Sequence, residues 1–129
     1  MGKLGLMKMK NKNILIVYNT CGIKRDNSEW YIKCMQSILD QDFDRDNYKI
    51  LWSSCLNTPQ CVKQVYSHFK NNISYCFHSE PHTVNITFNK AVREMIQHFG
   101  QFDYYMYIDS GVTFENQKDI LRKIHDVCV

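Results

Sequence analysis

Short apolar runs alternate with segments of helical periodicity along most of this chain. Four runs have the length of strands, over residues 14–18, 48–52, 73–78 and 104–108. The first of them, ILIVY, is continuous and rich in β-branched residues, which is typical of a strand covered on both faces. The pattern therefore predicts four strands of a sheet that packs against other elements on both sides.

Four helices are predicted between and after these strands, over residues 29–39, 58–69, 88–99 and 116–129. The second has the clearest start, because Thr58 can cap it and Pro59 suits a first turn, where a proline loses no hydrogen bond. Gly100 is expected to end the third helix as a left-handed cap. No stop signal follows the fourth helix, which leads us to expect that the chain is part of a longer protein.

Strands that alternate with helices of this length imply right-handed βαβ crossovers and a parallel sheet. We therefore expect one α/β domain over residues 13–129, a three-layer Rossmann-like fold with a mainly parallel sheet and four βα units. Residues 1–12 carry four lysines and are predicted to form a basic, disordered leader. A solvated tail is the preferred interpretation of this leader, and attraction to an anionic surface or a nucleic acid is the alternative.

Composition and charge exclude several classes of protein. The chain has 129 residues, of which 44% are hydrophobic and 22% charged, so it can bury a core of its own. Its net charge of +3 is mild, and we expect no nucleic-acid partner. No apolar run reaches the roughly 20 residues of a membrane helix, and no signal-peptide pattern is present. These features predict a cytoplasmic protein without a transmembrane segment.

The six cysteines are numerous for a chain of this length. None forms a CxxC pair, and their spacings match no zinc pattern. Free thiols buried as small hydrophobic side chains are therefore expected, with a disulfide framework as the weaker alternative.

Ligands of open parallel sheets bind beyond the carboxyl ends of the strands, at an edge that we call the rim. The predicted rim is polar, with loops at residues 19–22, 53–57, 79–82 and 109–111. The chain has neither a GxGxxG sequence nor a P-loop, which argues against dinucleotide-binding and ATPase folds.

Asp109 is the sharpest candidate for chemistry on this rim. It ends an aromatic strand, where a carboxylate would face the ligand crevice and could hold Mg²⁺ or Mn²⁺. The alternative is a turn-forming residue, because Asp-Ser-Gly is a favourable turn sequence. Position alone leaves both interpretations open.

Five segments follow one another along the chain: ILIVYN (14–19), QSILDQD (36–42), the strand and loop of residues 48–57, FNKAVR (88–93) and YMYIDSG (105–111). Their sequences and order resemble those of the GT-A glycosyltransferases, family 2 in particular. Over residues 13–115 the chain resembles the N-terminal, nucleotide-sugar-binding half of that family. The resemblance implies a GT-A-type fold and transfer of a sugar from a UDP-sugar or GDP-sugar, most simply a UDP-sugar, to an unidentified acceptor hydroxyl.

The resemblance also assigns residues to the donor site. Tyr18, Asn19 and the loop of Ser53 and Ser54 would contact the nucleoside. Two helical residues, Asn89 and Arg93, would lie near the sugar or the diphosphate. Asp109 would bind Mn²⁺ or Mg²⁺, which offsets charge on the leaving diphosphate.

The chain departs from the family pattern at three points. Gly111 stands where a second metal-binding Asp is usual, and Ser53 or Ser54 replaces the Asp expected after the second strand. No candidate catalytic base is visible. A non-catalytic Rossmann-like binding module is therefore one alternative, and an unrelated hydrolase that uses Cys55 or His82 is another. Exposed apolar surface on a half-fold would favour self-association.

Overall fold

The computed structural model describes residues 14–80 and 83–128. The predicted basic leader lies outside the described residues, as do Pro81, His82 and Val129.

The chain forms a four-stranded sheet with helices on both faces. The strands are β1 (Ile14–Cys21), β2 (Tyr48–Cys55), β3 (Ser74–His78) and β4 (Tyr104–Asp109), and the helices are α1 (Ser28–Leu39), α2 (Pro59–Phe69), α3 (Val84–Phe99) and α4 (Ile120–Cys128). The strands are all parallel in the order β3-β2-β1-β4. This confirms the predicted α/β class, the parallel sheet and its Rossmann-like layers.

Local capping chemistry explains where three of the helices begin or end. Thr58 caps α2 as predicted, because its hydroxyl accepts a hydrogen bond of 3.3 Å from the backbone N–H of Cys61. Asn27 caps α1 in the same way, through the backbone N–H of Trp30 at 3.1 Å. Gly100 ends α3 with φ of 81°, a conformation that costs glycine little.

The boundaries of four elements differ clearly from the prediction. β1 continues to Cys21 and β2 to Cys55, because their polar last residues stay in register with each other. α3 begins at Val84 rather than near residue 88, and the apolar pattern misses its first turn because Val84 and Ile86 are exposed. The prediction that the last helix starts near residue 116 was wrong, since a turn precedes Ile120.

The sheet separates two apolar cores. One face packs against α1, α2 and α4, with Ile16, Tyr18 and Trp52 fully buried. The other packs against α3 through a smaller cluster that includes Leu15, Val17 and Ala91. Since strand residues alternate between faces, Asn19 belongs to the α3 face and Tyr18 to the opposite one. No helix in the described part of the chain is long and apolar enough to cross a bilayer.

Candidate functional site

The carboxyl ends of the strands place three predicted site residues side by side. Asn19 on the central strand β1 is the register partner of Ser53 on β2 and of Asp109 on β4. In-register residues of a parallel sheet project from the same face. The rim therefore carries an amide, a hydroxyl and a carboxylate in one row on the α3 face.

Asn19 holds a buried acceptor that nothing in the described chain satisfies. Its side chain is 8% exposed, and its Oδ1 atom has no hydrogen-bond partner among the described residues. The hydrogen bond of the Asn19 side chain to the Tyr107 hydroxyl involves its NH₂ group instead. Buried acceptors are normally paired, since an unmet one costs about 1–3 kcal/mol. An N–H or O–H donor from a bound molecule would satisfy this oxygen.

Both Asn19 and Asp109 influence the ionisation of Tyr107. Burial raises the pKa of Tyr107, the neighbouring Asp109 carboxylate raises it further, and the Asn19 hydrogen bond partly offsets both effects. Asn19, Tyr107 and Asp109 thus form one electrostatic group at the rim.

Ser53 forms a hydrogen bond with a histidine that the sequence did not identify as a site residue. Its hydroxyl and Nε2 of His78 are 2.8 Å apart, and both side chains are buried. The thiol of Cys76 lies 3.7 Å from the same nitrogen. Alternation along β3 places His78 on the same face as Cys76, two residues earlier, and this is the sequence signal that could have found it.

Asp109 is exposed and begins a turn. Its Oδ1 accepts a hydrogen bond of 2.7 Å from the backbone N–H of Ser110, and its carbonyl accepts one of 3.1 Å from Val112. These contacts agree with the turn interpretation and leave the carboxylate at the surface. Gly111 faces open space, because a Cβ atom added there would meet nothing within 4 Å.

Three donors converge on the Ser110 carbonyl, next to Asp109. The Tyr18 hydroxyl is 3.0 Å from this oxygen, the indole Nε1 of Trp30 is 2.6 Å away and the thiol of Cys34 is 3.8 Å away. Tyr18 is fully buried, and burial raises its pKa. In this structure Tyr18 therefore fixes the Asp109 loop from below instead of facing the rim. The sequence did not identify Trp30 and Cys34 as residues that support the site.

Ser54 belongs to a second polar network, on the face opposite Ser53. Its hydroxyl and that of Thr20 both donate to Oδ1 of Asn57, at 2.8 and 2.7 Å. Asn57 in turn donates to Asp26 at 3.0 Å, and the Thr58 hydroxyl donates to Asp26 at 2.6 Å. Partial burial alone would raise the pKa of Asp26, but the hydrogen bonds from Thr58 and Asn57 outweigh it and lower that pKa.

Asn89 and Arg93 lie on the outer face of α3. Both are exposed, whereas Ala91 between them is fully buried. Each residue of a helix advances about 100°, so Asn89 and Arg93 are each about 200° away from the buried face. The structure does not bring them to the row formed by Asn19, Ser53 and Asp109.

A surface hollow of about 320 Å³ adjoins the rim between β2 and β3. Its lining is mainly apolar and includes Leu56, Pro59, Val62 and Phe77, together with Ser54. Phe77 is half exposed there, so a flat ring of a ligand could lie against it.

The described residues provide few ligands for a divalent cation. No group of three or more His, Cys, Asp or Glu side chains lies together in residues 14–80 and 83–128. Asp109 supplies one exposed carboxylate, and Gly111 supplies none. Mg²⁺ is commonly held by one or two carboxylates with substrate phosphates completing its shell. The site thus fits a cation only when a phosphate-bearing ligand is bound with it.

No protein-family model and no curated protein matches the chain. Solved structures of TarS from S. aureus do resemble it. TarS 1–349 in complex with UDP aligns with a TM-score of 0.57 and 18% identity over 88% of this chain and 32% of that one. TarS 1–349 in complex with UDP-GlcNAc gives 0.53 and 17%, over 88% and 31%.

This chain spans about a third of the length of TarS 1–349. At such low identity the likeness establishes the fold alone. The chain therefore shares the Rossmann-like α/β fold of the aligned part of TarS.

Proposed function

We propose that this chain binds a nucleoside-diphosphate sugar at the rim as the donor-binding part of a GT-A glycosyltransferase of family 2. The observation that carries this proposal is the buried, unpaired Oδ1 atom of Asn19, with Ser53 and Asp109 in register on either side. The likeness to TarS, whose structures hold UDP and UDP-GlcNAc, supports a UDP-sugar as the donor.

Each rim residue has a distinct part in this proposal. Asn19 accepts a hydrogen bond from the nucleotide, and Ser53 and Ser54 support the loop beside the nucleoside. Asp109 would hold Mn²⁺ or Mg²⁺ together with oxygens of the diphosphate, and the cation would offset charge on the leaving group. Tyr18 acts indirectly, by fixing the loop that carries Asp109.

Sugar transfer to an acceptor hydroxyl is the activity that this donor site would serve. No catalytic base is assigned in the described part of the chain, and the chain covers only about a third of TarS 1–349. We therefore propose donor binding as the function of this chain, and transfer as the function of the assembled glycosyltransferase.

Calorimetric titration of UDP-sugars and GDP-sugars, with and without Mn²⁺, tests the proposal. We expect binding of a UDP-sugar that strengthens with Mn²⁺. Asp109→Ala should abolish the gain from Mn²⁺, because it removes the only carboxylate that this row of residues offers the cation. Arg93→Ala is the matched control: it removes a charge from the same domain, but on the outer face of α3.

The outcomes separate the candidate functions. Absence of nucleotide binding in every condition would contradict the proposal and favour the non-catalytic binding module. An Arg93→Ala variant that loses affinity as strongly as Asp109→Ala would move the donor site to α3, as the family resemblance implies.

A further inference from the structure

The last residues of β1 and β2 are both cysteines, and they lie directly opposite each other. Cys21 is the register partner of Cys55 in this parallel pair. Register partners in neighbouring strands lie about 4.8 Å apart and project from the same face. A disulfide joins Cα atoms about 4.4–6.8 Å apart. We propose that Cys21 and Cys55 form a reversible disulfide, a modification site at the rim.

The backbone just beyond the pair keeps these cysteines together. The backbone N–H of Gly22 donates to the carbonyl of Cys55 at 2.8 Å. Gly22 is packed so closely against the next turn that an added Cβ atom would overlap the carbonyl of Leu56. The strands therefore do not separate at the positions where the bond would form.

The two thiols differ in access, which gives them different parts in the reaction. Cys21 is partly exposed, whereas Cys55 is 3% exposed and its thiol donates to the carbonyl of Glu80 at 3.4 Å. A dissolved oxidant therefore meets Cys21 first. Cys55 then reaches Cys21 by rotating its side chain away from Glu80.

Two other buried cysteines, Cys76 and Cys61, are less suited to the exchange. Cys76 has Ser53, not a cysteine, as its register partner. Burial raises the pKa of Cys76, and likewise that of Cys61, to about 12. Since the thiolate is the reactive form, these two thiols react slowly near neutral pH.

The proposed reaction needs a low-molecular-weight disulfide such as oxidised glutathione as the oxidant. The Cys21 thiolate attacks one sulfur of the oxidant, forms a mixed disulfide and releases one thiol, which takes up the proton of Cys21. The Cys55 thiolate then attacks Sγ of Cys21, and the second thiol leaves with the proton of Cys55. Two protein thiols are oxidised and one disulfide is reduced to two thiols.

The bond would lie two residues beyond Asn19 and Ser53, on the same face of the sheet. It would join β1 to β2 at the outer edge of the rim and move the Cys55 side chain. We therefore expect oxidation to lower the affinity for the nucleotide donor, and this consequence alone rests on the proposed function.

Intact mass and peptide mapping test the disulfide without any nucleotide. The reduced chain is incubated with oxidised glutathione under native conditions and then treated with an alkylating reagent. We expect the loss of two hydrogen atoms, no retained glutathione and a peptide linking Cys21 to Cys55. Cys55→Ser should stop at a glutathione adduct on Cys21, and Cys76→Ser should form the link as the unaltered chain does.

Two results would overturn the inference: a glutathione adduct that persists on Cys21 while Cys55 is intact, or a link between other cysteines. A second titration compares donor binding by the oxidised and reduced chains. Equal affinities would overturn the coupling to the rim, while the mapped link would still establish the modification site.

Discussion

Neighbouring residues of β1 have different roles because their side chains leave the sheet on opposite faces. Tyr18 projects into the core with α1, where its hydroxyl reaches the Ser110 carbonyl. Asn19 projects toward α3 and reaches the rim. The same alternation separates Ser53 from Ser54. The face of the sheet that a polar side chain occupies therefore decides whether it supports the core with α1 or reaches the rim on the α3 face.

Asn19→Ala should separate a binding role from a structural one. Removal of the unpaired acceptor should favour folding, whereas loss of the hydrogen bond to Tyr107 should oppose it, so we expect the free energy of unfolding to change by less than about 1 kcal/mol. Donor affinity should fall about tenfold, which corresponds to about 1.4 kcal/mol. Urea denaturation and calorimetry measure the two quantities. A clear loss of stability with unchanged affinity would make Asn19 a structural residue.

Tyr18→Phe tests the support beneath the Asp109 loop. The substitution keeps the ring in the core and removes one of three donors to the Ser110 carbonyl, so we expect a loss of about 1 kcal/mol of stability. Tyr75→Phe is the matched control, because its hydroxyl donates to the Lys70 carbonyl at 2.8 Å in an exposed position. Tyr75→Phe should therefore lower the free energy of unfolding by less than Tyr18→Phe does. Equal losses in urea denaturation would argue against a special role for Tyr18.

At the scale of elements, most of the fold could be predicted from sequence. Apolar runs and helical stripes depend on local periodicity, and they located the four strands and the four α-helices of the described residues. The site was harder to predict, because it depends on which face a residue occupies. Tyr18 and Asn19 were assigned together as nucleoside contacts, and a motif does not show that a strand points them apart. Asn89 and Arg93 are a second example, on a helix. The motif does not show that Ala91 lies on the buried face of α3 and that these two residues lie on the exposed face.

The close contact between the end of β1 and the turn after β2 (here called the joint, Gly22 against Leu56 and Asn57) depends on one glycine. An added Cβ atom at Gly22 would overlap the Leu56 carbonyl and lie 2.7 Å from Cα of Asn57, both of which are backbone. Gly22→Ala should therefore cost about 1–3 kcal/mol of stability, as overpacking commonly does. Gly111→Ala should change stability by less than about 0.5 kcal/mol, because Gly111 faces open space. Similar thermal midpoints for the two variants would contradict this account of the joint.

Asp26 links the loop before α1 to the start of α2, and its contribution should depend on pH. Its pKa is lowered in the folded chain, so its stabilising effect is complete above the unfolded pKa of about 3.9 and is lost as the pH falls through the folded value. Because Asp26 is exposed, we expect an effect of less than about 1 kcal/mol.

Urea denaturation of the unaltered chain and Asp26→Asn between pH 7 and pH 3 measures this contribution. The stability difference should be constant down to about pH 5 and shrink below about pH 4. Thr58→Val in both backgrounds supplies the control, since it removes a hydroxyl that donates to Asp26. A difference that grows at low pH would contradict the assignment.

At the scale of the whole molecule, the strand order determines which parts hold the domain together. β1 pairs with both β2 and β4 and is buried on both faces, so it connects the two cores. β4 is at the edge of the described sheet, and its first five residues carry no charge. The self-association that such an edge favours stays a prediction, which sedimentation velocity can test.

Native-state hydrogen exchange should reflect this central position of β1. The amides of β1 should exchange most slowly, because they open only when the whole sheet does. Those of α4 should exchange fastest among the helices. Among the α4 residues whose burial is described (120–127), only Leu121 is fully buried. The links of this helix to the rest of the chain include the Leu121 N–H bond to Gln41 and the exposed ion pair of Arg122 with Asp42. Equal protection of α4 and β1 would show that the last helix is an integral part of the cooperative core, and the sheet alone would then not define the folding unit.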